Sequence, residues 1–131
     1  MTAIGTCLLI DDDTDEHEIF SMALESIEYG GKLETATNGP QALESLREYK
    51  QLRPDFIFLD LNMPRMNGLQ CLTEIRKYPH LQHIPIVIFS TSAVPEVIKS
   101  AEELGAFAFI KKPYSIGQLA DALRDFFKQF D

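Results

Sequence analysis

With 131 residues, 45% of them hydrophobic and 24% charged, the chain has room for one domain around one core, and its composition excludes the disordered and fibrous classes. Twenty acidic against 12 basic side chains give a net charge of −8, the wrong sign for a domain that neutralises nucleic-acid phosphates by itself. No apolar run approaches the ~18 residues of a membrane span, and Met1 to Ile10 lacks the basic residues of a secretory signal, so a cytoplasmic protein is expected.

The first predicted element is the strand Cys7–Ile10, followed at once by Asp11, Asp12 and Asp13. Ile19, Phe20, Ala23, Leu24 and Ile27 then recur at helical spacing, with Thr14 before the stripe and Asp15 and Glu16 in the first turn, where the helix dipole favours acids. Leu33 to Thr37 alternates and reads as an edge or half-exposed strand. Asn38 precedes Gly39-Pro40 and a second helical stripe of Ala42, Leu43 and Leu46. Phe56–Leu59 is a continuous apolar run ending on Asp60, as expected of a parallel strand covered on both faces. Leu69, Leu72 and Ile75 mark a third helix, Ile84 to Phe89 a fourth strand ending at Ser90, and Val97, Ile98, Ala101 and Leu104 a fourth helix. Gly105 stands where a left-handed cap is wanted. Phe107 to Ile110 is the fifth strand, with Lys112 at its end; Ser115 and Gln118 have capping-box spacing. The last stripe is Ile116, Leu119, Leu123, Phe126, Phe127 and Phe130, read as core, with an exposed partner patch as the alternative.

This order is (βα)5, and right-handed crossovers turn it into a three-layer, doubly wound α/β fold with a five-stranded parallel sheet. No linker, repeat or low-complexity tract divides residues 1–131, so a single domain with no output domain is expected. Cys7 and Cys71 have no C-x-x-C or histidine companion and read as buried thiols. His80 and His83 read as surface residues, and His17 as exposed, with a part in tuning the acidic rim as the alternative.

In open α/β sheets function collects at the carboxyl ends of the strands. Asp11, Asp12, Asp60, Ser90 and Lys112 all fall there. Two carboxylates ~4 Å apart repel by about 4 kcal/mol at an effective dielectric near 20, so such a cluster raises a pKa or binds a cation. Hard oxygen ligands suit Mg²⁺, with Mn²⁺ also possible; the cation would make room for a phosphoryl group, which Lys112 and the Ser90 hydroxyl could contact.

The segments LLIDDD at 8–13, DFIFLDLNMPRMNG at 55–68, IPIVIFSTSA at 84–93 and GAFAFIKKPYS at 105–115 resemble the receiver (CheY-like) domains of two-component response regulators, and the resemblance covers essentially the whole chain. It implies strand order 2-1-3-4-5. It also implies that Asp60 accepts phosphate from a sensor histidine kinase or histidine phosphotransfer protein. Asp11, Asp12, Asp60 and the Asn62 carbonyl would hold Mg²⁺; Ser90 and Lys112 would meet the phosphoryl group. Phe109 would swing inward as Ser90 moves, and Asn62 and Ser92 would tune hydrolysis. On this reading the protein is no enzyme beyond its own aspartyl phosphorylation and dephosphorylation. It would signal to a downstream protein, as a monomer or as a homodimer through helix 4, strand 5 and helix 5. Direct nucleic-acid and membrane contacts are not expected. Receivers usually hold the bond corresponding to Lys112-Pro113 cis, and a cis bond is expected here. Lys111 would point beside helix 4, and Ala122, Asp125 and Gln129 would be exposed on helix 5.

Two rival families fit the residues less well. A haloacid-dehalogenase-like phosphatase wants acid-x-acid-x-Thr after strand 1, and Thr14 is out of step. A flavodoxin-like FMN carrier wants a phosphate loop where three aspartates stand.

Overall fold

The computed structural model describes residues 5–48, 52–92 and 94–130; residues 1–4 of the N-terminal stretch and Ala93 of the third matching segment lie outside them. Five strands, β1 (Thr6–Ile10), β2 (Lys32–Ala36), β3 (Phe56–Leu59), β4 (Ile86–Ser90) and β5 (Ala108–Lys111), alternate with α1 (Thr14–Ser26), α2 (Gly39–Arg47), α3 (Gly68–Ile75), α4 (Pro95–Glu103) and α5 (Ile116–Lys128). The sheet is wholly parallel, in the order β2-β1-β3-β4-β5. The alternating second run is indeed an edge strand, while β1, β3 and β4 are covered on both faces and nearly continuously apolar.

Side-chain alternation divides the core in two. Cys7, Leu9, Phe56, Phe58, Val87 and Phe89 face α1 and α5, where Phe20, Phe126 and Phe127, with Leu123 among them, complete a layer rich in aromatic rings. Leu8, Ile10, Ile57, Leu59, Ile86 and Ile88 face α2, α3 and α4. The C-terminal phenylalanine stripe is thus core, and only Phe130, 37% exposed, reaches solvent at its end. Both cysteines are buried free thiols, each pushed up to about 12 by burial.

Several boundaries differ from expectation for identifiable reasons. Asp13, not Thr14, caps α1, accepting the Asp15 amide at 2.9 Å. At α5 the box is half formed: Ser115 Oγ accepts the Gln118 amide, but the Gln118 side chain accepts from Tyr114 instead of the cap residue. A full capping box sits at α3, between Asn67 and Gln70, on an Asn-x-x-Gln spacing equivalent to that of Ser115 and Gln118. Gly105 ends α4 as expected, with φ +101°, its amide on the Glu102 carbonyl and that of Ala106 on Ala101. His80 is not a free surface side chain: it is half-buried, with Nε2 3.0 Å from the Leu46 carbonyl oxygen.

The loop before β4 is fastened by Arg76, whose guanidinium donates to the carbonyls of Leu81, Gln82, Ile84 and Gly105 at 2.8–3.2 Å. One planar fork thereby ties the end of α3 to the entries of β4 and β5. An ammonium offers its donors from a single point and cannot span four carbonyls set apart in this way. Arg76→Lys is expected to lower stability by about 1–3 kcal/mol, measured by urea unfolding.

Candidate functional site

The strand order reverses between β1 and β3, and the two buried acids among the described residues sit at that crevice. Backbone bonds place them. The Asp11 amide donates to the Ala36 carbonyl and the Asp60 amide to the Ile10 carbonyl, both at 3.0 Å, so the ladder continues one residue past each strand. Carboxylate oxygens of Asp11, Asp12 and Asp60 all lie within 4.8 Å of one another. Asp11 is fully buried, Asp60 nearly so, and Asp12 is exposed. Asp13 accepts the Asp15 amide in its capping role, so the three consecutive aspartates divide between an ion pair, an exposed place in the acidic cluster and a helix cap.

Lys112 closes the site from β5. Its amide donates to the Ser90 carbonyl at 2.8 Å, and its ammonium lies 2.8 Å from Asp11 Oδ2 and 3.6 Å from Asp60 Oδ1. The Lys112-Pro113 bond is trans, contrary to expectation; among the described residues there is no cis peptide. The ladder bond to Ser90 already carries Lys112 beside β4, so strand register aims the ammonium.

The electrostatics follow from this crowding. Burial, then the charge of Asp11, pushes the Asp60 carboxyl up to about 6, against the opposing pull of Lys112 and of a hydrogen bond from the Asn62 amide. For Lys112, burial favours the neutral amine, but the hydrogen bond and charge of Asp11, with Asp60 and Glu16, outweigh it and raise the pKa. Glu16, half-buried in the first turn of α1, is raised by burial and by the neighbouring acids despite Lys112. Three carboxylates clustered within 4.8 Å, hard oxygen donors of like charge, suit a hard divalent cation. The Ser90 hydroxyl is buried with no hydrogen-bond partner, an orphan that a further oxygen acceptor would satisfy.

The β3–α3 loop shapes the rim. Leu61 and Met63 are buried anchors, which leaves Asn62 between them exposed. Gly68 starts α3 against the backbone of the acid itself: a Cβ there would collide with the Asp60 carbonyl oxygen and lie 2.8 Å from Leu61 Cα. That is the physical need behind a glycine eight residues after Asp60. Phe109, paired with Ile88, is half-buried against the α2–α4 side, and Lys111 on the same strand face is exposed. On α5, Asp125 and Gln129 are exposed, but Ala122 is half-buried, not exposed, because it borders the apolar stripe. His17, expected to be exposed, is half-buried with Nε2 2.8 Å from the Asp11 carbonyl oxygen. Nothing in its local spacing signals that contact, which depends on how α1 leaves the sheet.

Residues 7–124 match the family model described as response regulator receiver domain. The chain belongs to the response regulator receiver family. It is 30% identical over 120 residues to chemotaxis protein CheY of Thermotoga maritima, covering 92% of this chain and 96% of that one. It is 33% identical over 111 residues to a probable cyclic di-GMP phosphodiesterase of Vibrio cholerae, but spans only 24% of that protein's length. The crystal structure of the phosphorylated cyanobacterial phytochrome response regulator RcpA superposes with a TM-score of 0.85 at 30% identity, covering 96% of this chain and 93% of that one. The receiver fold and the relation to two-component phosphoacceptor proteins are therefore established, and the dehalogenase-type phosphatase finds no support. No helix among the described residues is long and apolar enough to cross a membrane.

Two outcomes follow from the crowding. A carboxyl held at about 6 in the fold and near 3.8 when unfolded binds more protons folded than unfolded between those values. Without metal, its contribution to stability falls as pH rises through that window, by up to about 3 kcal/mol at pH 7. Asp60→Asn is expected to match wild type near pH 4 and to exceed it above pH 6 in urea unfolding with EDTA. Gly68→Ala is expected to cost about 1–3 kcal/mol, because backbone on both sides must move; thermal unfolding measures it.

Proposed function

We propose that Asp60 takes a phosphoryl group from the phosphohistidine of a sensor histidine kinase or histidine phosphotransfer protein, and that the acyl phosphate then switches protein–protein contacts. The observation that carries the reading is the convergence of Asp11, Asp12 and Asp60 within 4.8 Å at the sheet's switch point, with Lys112 over them. The phosphorylated state named for RcpA, whose fold this chain shares almost throughout, supports it.

In the proposed step an Asp60 carboxylate oxygen attacks phosphorus, the P–N bond to the donor imidazole breaks, and its electron pair leaves with the ring nitrogen. Asp11, Asp12, Asp60 and the Asn62 carbonyl would hold Mg²⁺ or Mn²⁺, which supplies positive charge to oppose that of the phosphoryl oxygens. Lys112, already charged and fixed by Asp11, adds a cation that needs no reorganisation. The unpartnered Ser90 hydroxyl would donate to a phosphoryl oxygen, and its movement would draw Phe109 inward from its half-buried position, coupling the site to α4, β5 and α5. Exposed Lys111, Asp125 and Gln129 on that face would meet a downstream protein or a second copy of the chain. Hydrolysis, tuned by the exposed Asn62 and Ser92, would reset the switch. Turnover would be confined to the chain's own aspartyl phosphate.

With Mg²⁺ and acetyl phosphate, intact mass is expected to rise by one phosphoryl group, to return to its starting value on mild alkali, and to stay unchanged in Asp60→Asn. Labelling of that variant at the wild-type level would overturn the assignment.

A further inference from the structure

Residues 11–18 read Asp-Asp-Asp-Thr-Asp-Glu-His-Glu, six acids in eight positions at the β1–α1 junction. A segment so charged relaxes by spreading apart unless it is tied down. Four hydrogen bonds tie Asp11. Its amide donates to Ala36, its Oδ1 accepts the Asp13 amide at 3.0 Å, and its Oδ2 accepts from Lys112 at 2.8 Å. The fourth bond, to its backbone carbonyl, comes from a side chain six residues on, His17, at 2.8 Å. A carbonyl oxygen only accepts, so Nε2 of His17 is the protonated donor nitrogen. This bond closes a loop from the end of β1 to the first turns of α1, with Asp12 inside it.

We propose that His17 is a positioning residue for cation binding: by holding the Asp11 carbonyl it keeps Asp11 and Asp12 converged on Asp60 against their mutual repulsion. The proposal rests on the reading of these three acids as the Mg²⁺ site. The ring also lies in a shallow groove with Glu18, Ser21, Met22, Leu33 and Thr35, between α1 and the edge strand, so packing must be separated from hydrogen bonding.

The test compares His17→Phe, which keeps an aromatic ring without the N–H, with His17→Gln, which offers an N–H without the ring. Mg²⁺ affinity is measured by calorimetry, beside thermal unfolding in EDTA. Partners that orient metal ligands commonly contribute tenfold or more to affinity. His17→Phe is expected to bind Mg²⁺ about tenfold more weakly, with His17→Gln recovering most of the loss. In phosphorylation by acetyl phosphate, the Mg²⁺ concentration for half-maximal rate is expected to shift by the same factor while the maximal rate holds. A packing role alone would change the unfolding temperature and leave Mg²⁺ affinity in place. Wild-type affinity in His17→Phe, or equal losses in both variants, would overturn the proposal. Asp60→Asn, run alongside, separates the two readings: if it binds Mg²⁺ as tightly as wild type, the assignment of the metal site itself fails.

Discussion

The structure depends on forcing Asp11 and Asp60 together in a place largely withdrawn from water. Each acid extends the ladder of a central strand by one backbone hydrogen bond, and adjacent parallel strands bring those extensions side by side. Like charges at this separation oppose folding, and the upward push on Asp60 to about 6 is the trace of that opposition. Lys112 offsets part of it, from the strand two places beyond β3 in the sheet. What remains is a site held short of positive charge, and a divalent cation or a proton relieves it.

The surrounding fold holds that arrangement still. Aromatic side chains fill the α1–α5 layer beneath it, with Phe20, Phe58 and Phe126 in edge-to-face contact, and aliphatic side chains fill the other layer. Gly68 lets α3 approach the Asp60 backbone, and Leu61 and Met63 pin the loop between them. A core packed in this way moves between discrete arrangements more readily than it deforms, as a switch requires. The buried, unpartnered Ser90 hydroxyl stands out within it, a polar group left unsatisfied among satisfied ones.

Much of this was legible in the chain itself. Short apolar runs, continuous where both faces are buried and alternating where one is, gave the five strands, and period-3.6 apolar stripes the five helices. The acids, Ser90 and Lys112 were legible because each ends a strand or falls within two residues of a strand's end, and strand ends in a parallel sheet share one rim. Continuous apolar strands marked the centre of the sheet and the alternating one its edge.

Contacts between residues distant or awkwardly spaced in the chain were decided only by the tertiary structure. The division of Asp11, Asp12 and Asp13 into ion pair, exposed cluster member and cap depends on where α1 leaves the sheet, and three identical side chains carry no local sign of it. The His17 bond to Asp11, the Arg76 clip across four carbonyls and the half-burial of Ala122 and His80 have the same origin. The trans Lys112-Pro113 bond belongs here too, since the residue that aims Lys112 is Ser90, on another strand. Sequence pattern reports which surface of an element is buried; which group meets which across that surface is fixed by the packing of whole elements, and no window along the chain contains it.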